Sequence, residues 1–66
     1  MQTSSNIKEV GYDAATQVLE VMFSGGGVYQ YDGVPKEFYD HLLTESSPGR
    51  FFHQNIKGTF PFRKVS

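Results

Sequence analysis

The side chains of this chain that could do chemistry are few and scattered. His41 and His53 are the two imidazoles, and there is no cysteine. A metal site would need carboxylates converging on both histidines, and neither a His-Glu-x-x-His motif nor a comparable ligand spacing occurs. Asp40 and His41 stand close in sequence to Ser46 and Ser47, the residue types of a hydrolytic triad. Adjacent helix residues point in different directions, however, and no strand-to-helix elbow surrounds either serine. Glu37 and Asp40 form an i, i+3 carboxylate pair, but an exposed pair without a pocket gives no perturbed acid or base. Gly25-Gly26-Gly27 lacks the following Lys-Ser/Thr of a phosphate loop and the spacing of a dinucleotide fingerprint. The expectation is a chain that is not an enzyme: no catalytic residue, no metal, no cofactor and no evident small-molecule substrate.

What remains is the chemistry of binding. Arg50, His53, Gln54 and Lys57 follow the i, i+3, i+4, i+7 spacing of one helix face, and Arg63 and Lys64 come soon after. Residues 1–45 hold all seven acids against Lys8 and Lys36, a formal −5, whereas residues 46–66 hold four cations and no acid, a formal +4. Such asymmetry suits an anionic partner such as RNA, although Coulomb pairing between the two halves of one small domain explains it at least as well. Tyr29 and Tyr31 also have two readings. On a covered sheet face they are core, and on an open one they could stack nucleobases as RNA-binding sheets do. The burial pattern favours core, with Tyr31, nearer the end of its strand, the one expected to keep its hydroxyl exposed.

These residues need elements to hold them. Ile7–Tyr12 reads as a strand with Gly11 as a bulge or close backbone approach, and Asp13–Thr16 as a turn. Gln17–Phe23 is the clearest strand, with Leu19, Val21 and Phe23 on its core face. A three-residue loop at Gly25-Gly26-Gly27 would set Phe23 opposite Tyr29 and Val21 opposite Tyr31, placing both tyrosines on that same face. After Asp32-Gly33-Val34, Pro35 opens a helix running to about Thr44, with Phe38/Leu42 and Tyr39/Leu43 as one apolar stripe. Ser46-Ser47-Pro48-Gly49 breaks it and supplies a serine cap for a second helix over roughly 48–57, packed through Phe52, Ile56 and Phe51 and stopped by Gly58. Thr59–Val65 should be extended, with Phe60 and Phe62 covering core and Pro61 confining 61–65 to an edge.

With 66 residues the chain is near the lower size for a stable core without staples, so its ten aromatic rings must supply much of the buried area. The expected organisation is a flexible tail at 1–5 and one domain over 6–66. The absence of cysteine removes any disulfide framework, and no apolar run approaches the roughly 20 residues of a membrane span. MQTSSN has no leader-like pattern, so a cytoplasmic location without membrane contact is expected.

Ser5-Asn6-Ile7, Gly11-Tyr12, Leu19-Glu20-Val21 with Phe23, Val28-Tyr29-Gln30-Tyr31 through Val34-Pro35, and Gly49-Arg50-Phe51-Phe52 with Ile56 together resemble the KTSC domain. That family takes its name from the C-terminal domain of some lysyl-tRNA synthetases and also occurs as short free-standing bacterial proteins. The resemblance spans nearly the whole chain and implies a small α+β domain for which RNA binding has been suggested. It supplies no catalytic residues, and with the synthetase body absent it does not carry aminoacylation over. The fold expected is α+β: an antiparallel three-stranded meander followed by two helices packed on one face, with a short C-terminal extended edge segment. The function expected is a small binding module contacting RNA, including tRNA, through Arg50, His53, Gln54, Lys57, Arg63, Lys64 and Tyr31. The alternative is a protein-interaction module using an apolar patch or an exposed sheet edge at 7–12 or 61–65.

Overall fold

Strict alternation along Val18–Phe23 builds the strand around which the sheet forms, with Leu19 and Val21 fully buried and Glu20 exposed. In the computed structural model, which describes residues 7–66, the elements are β1 (Ile7–Asp13), β2 (Val18–Phe23), β3 (Val28–Tyr31), α1 (Lys36–Thr44), α2 (Pro48–Asn55) and β4 (Phe62–Lys64). The expected tail at 1–5 lies outside the described residues. The strands form one antiparallel sheet in the order β1-β2-β3-β4, so the fold is α+β as expected. The expected edge segment is a fourth strand. Pairing of Tyr29, Gln30 and Tyr31 with Lys64, Arg63 and Phe62 fixes it, and Val28 both donates to Ser66 O and accepts from Val65 N–H.

The β2–β3 register keeps the expected parity but is shifted by two residues along the strand. Val21 lies opposite Tyr29 and Leu19 opposite Tyr31, while Phe23 bonds back to Gly27 across the turn. The loop is therefore centred on Ser24-Gly25-Gly26, and the Gly27 carbonyl accepts from the Phe23 N–H just ahead of β3. Gly26 and Gly27 have φ of 106° and 93°, where a side chain is strained, and a Cβ on Gly27 would also come within 3.2 Å of the Tyr29 ring. Because the slip is an even number of residues, both tyrosines stay on the helix-covered face. The β1 irregularity falls between Ile7 and Glu9 rather than at Gly11, where a Cβ would meet nothing.

The core is Leu19, Val21, Tyr31, Val34, Leu42, Phe52 and Ile56. Val34 is pinned on both sides: its N–H donates to Gln17 O at 3.0 Å and its carbonyl accepts from the Tyr12 hydroxyl at 2.5 Å. This leads the chain from sheet to helix with its backbone groups satisfied. In α1, Phe38, Tyr39 and Leu42 face inward, and Tyr39 stacks on Tyr12 with centroids 5.3 Å apart. Leu43, expected in that stripe, is 58% exposed, because each residue turns about 100° around a helix of 3.6 residues per turn and Leu42 already occupies the centre of the buried arc. Ser47 holds the N-cap position of α2 with Pro48 next, but its hydroxyl does not cap; its carbonyl instead accepts from the N–H groups of Arg50 and Phe51. No helix among the described residues is long and apolar enough to cross a membrane.

Candidate functional site

The acid-free stretch folds so that its cations separate into two groups. Arg63 pairs across from Gln30, which places it on the sheet face away from the helices. There its guanidinium grips the Asp32 carboxylate at 2.8 and 2.9 Å and donates to Gln30 Oε1, while Gln30 donates to Glu20. Arg63 thus belongs to a polar ladder on the outer face, and the structure separates it from the residues with which the sequence grouped it.

The others gather near α2. Arg50 lines a hollow at the helix start with Ser46, Ser47, Pro48 and Ile7, and Lys57 lines a second hollow beyond the other end. His53 is common to both, its ring set edge-on to Phe52 at 5.4 Å. Gln54 is exposed on α2 and lines neither. Lys64 reaches the same side of the sheet from β4, opposite Tyr29 in the pairing. Among the described residues the ion pairs are Lys36–Asp40 and Arg63–Asp32, with His41 Nδ1 near Glu45 as the remaining contact of this kind, so Arg50, Lys57 and Lys64 pair with no acid.

The second hollow is a cleft of about 330 Å³ between α2, the glycine turn and β4, walled by Phe23, Tyr29, Tyr31, Phe52 and Phe62 with Lys57 and His53 at its border. No carboxylate lines it. Tyr31 stands at its floor and is only 4% exposed, wedged against Phe52 at 5.2 Å and Phe62 at 5.5 Å. It is therefore the more buried of the two strand tyrosines, contrary to the sequence expectation, because β4 and Phe52 close over the end of β3. Its ring face is not free to receive a base. Burial, and secondarily the neighbouring Tyr29, hold its phenol pKa above the ordinary 10.0.

Sequence reasoning missed Phe62. It was expected to cover core alongside Phe60; Phe60 does pack edge-on against Phe38, but Phe62 is 58% exposed. Phe62 rests on Tyr29 and Tyr31 from an edge strand, past the reach of the helices. The usable signal was its place in a short Pro-bearing edge segment, where a large ring has little above it.

The groups considered for catalysis are engaged otherwise. Asp40 pairs with Lys36 at 3.0 Å, and His41 stacks on Phe51 at 5.1 Å with Nδ1 3.5 Å from Glu45. Among the described residues no three His, Cys, Asp or Glu side chains are placed to hold a metal ion.

Comparison with known proteins agrees with this architecture. A protein of uncharacterised function from Stutzerimonas stutzeri is 46% identical over 54 residues, covering 82% of this chain and 76% of that one. A lysine–tRNA ligase from Trichormus variabilis is 40% identical over 62 residues, 94% of this chain but 11% of the ligase. The crystal structure of a KTSC domain protein from Yersinia pestis superposes with a TM-score of 0.88 at 42% identity, covering 98% of this chain and 92% of that one. The KTSC domain model matches residues 3–60, which spans the meander, both helices and the approach to β4, and on that match the chain belongs to the KTSC domain family.

Proposed function

We propose that this chain is a small non-catalytic RNA-binding module that holds the phosphate backbone, that of tRNA included, on Arg50, Lys57 and Lys64, with His53 and Gln54 between them. The observation that carries the reading is that these three cations pair with no described acid. Had the charge asymmetry of the sequence served only to join the two halves of the domain, they would have been spent as Arg63 is spent on Asp32. Three exposed cations without a carboxylate partner favour an anionic ligand, since each phosphate contact releases condensed counterions. The match to a segment of lysine–tRNA ligases supports RNA as that ligand. Arg63 and Tyr31 are left out of the contact set, the first by its position and the second by its burial.

The test is titration of labelled tRNA and of unstructured RNA at about 50 mM and 200 mM salt, where three contacts to a single strand give a log–log slope of about −2 at about 0.7 per contact. Arg50→Glu/Lys57→Glu should abolish binding while circular dichroism remains that of the folded chain. Absence of binding at the lower salt, or binding untouched by the charge reversal in a folded protein, would end the proposal.

A further inference from the structure

We propose that the cleft between α2 and β4 is a pocket for a single unpaired nucleobase, which stacks on the exposed ring of Phe62 while its flanking phosphates lie on Lys57 and Lys64. The inference rests on the RNA reading above and adds what part of the RNA is held. Phe62 is a large ring, 58% exposed, and it is held in tilted contact with Tyr29 and Tyr31 at centroid distances of 5.9 and 5.5 Å. A large ring held by two neighbouring rings yet more than half exposed is a stacking platform that needs little ordering when a second ring arrives. The cleft of about 330 Å³ lies at the lower end of the roughly 300–1,000 Å³ range of ligand sites, which suits one ring system.

Charge decides the kind of ring. The cleft has Lys57 and His53 at its border, no lining carboxylate, and Lys64 on the neighbouring edge strand. An apolar side chain of a protein partner would fill the aromatic wall but leave the two lysines without counterparts. A nucleotide supplies an aromatic face and an adjacent anion together. Paired RNA cannot use such a site, because its bases are stacked within the helix and its deep major groove keeps side chains out.

The experiment uses the full chain and a short oligoadenylate carrying one 2-aminopurine, alone and annealed to oligouridylate, at one low salt concentration. The single strand should bind more tightly than the duplex, and 2-aminopurine fluorescence should be quenched as it stacks. Phe62→Ala should weaken the single strand about tenfold, the size of one base–aromatic stack, and leave the salt slope unchanged. Phe62→Tyr should retain binding, and Leu43→Ala, at an exposed apolar residue of α1, should change nothing. Equal binding of strand and duplex, no quenching on binding, or a folded Phe62→Ala that binds like the wild type would overturn the base pocket and leave the backbone reading standing. No binding of either form would overturn both.

Discussion

Phe52 meets Tyr31 edge-on, with ring centroids 5.2 Å apart and planes at 81°, and the same phenylalanine meets Phe23 at 5.5 Å and 67°. One side chain of α2 thus joins the two strands on either side of the glycine turn. Phe52 is 1% exposed, and truncating such a ring costs about 3–5 kcal/mol. A chain of this size has roughly 3–10 kcal/mol in total at about 0.05–0.15 kcal/mol per residue. Phe52→Ala should therefore remove a large share of that stability and leave the protein largely unfolded or barely folded at room temperature. A thermal transition displaced by only a few degrees would show Phe52 to be peripheral.

The glycine turn offers a paired test of backbone against side-chain effects. Gly27 has a φ of 93° and a Cβ there would crowd Tyr29, whereas a Cβ on Gly25 meets nothing within 4 Å. Gly27→Ala should destabilise by at least about 1–2 kcal/mol, the cost of a left-handed L-residue. Gly25→Ala should stay within about 0.5 kcal/mol of the wild type. Denaturant midpoints of the two variants decide it, and equal midpoints would argue against the Ser24-Gly25-Gly26 loop.

Arg63 provides the control for the RNA proposal. Its pairing with Asp32 is half exposed and lies on the outer sheet face, so Arg63→Ala should lower stability by less than about 1 kcal/mol. RNA affinity and its salt slope should be unchanged. A loss of one contact from the slope would return Arg63 to the binding set and weaken the separation of the two faces.

Tyr31 predicts an alkaline limit. Its phenol is raised above 10.0 in the folded chain, so the unfolded chain releases that proton more readily. The associated stability is fully present below pH 10.0 and is lost as pH rises through the folded value. Ultraviolet titration of the wild type against Tyr31→Phe should show one phenol ionising late, alongside a fall in thermal stability that the variant lacks. An early-titrating Tyr31 would contradict the burial described.

By itself the sequence determined the element order, the covered sheet face and the placing of both tyrosines upon it. Those follow from local periodicities: the two-residue alternation of Leu19, Val21 and Phe23, the i, i+4 pair Phe38/Leu42, and Pro48 and Gly58 around the second helix. It also grouped Arg50, His53 and Lys57 on one helix face, but α2 ends at Asn55, so Arg50 and His53 lie on the helix and Lys57 falls in the turn beyond it. Tertiary structure alone decided that 61–65 contains a paired strand, because ladder hydrogen bonds to β3 join residues more than thirty positions apart, and neither segment signals the other. That pairing then settled the rest. Strand parity sent Arg63 to Asp32 on one face and Lys64 to the other, buried Tyr31 beneath Phe62, and left Phe62 itself open at the edge of the sheet.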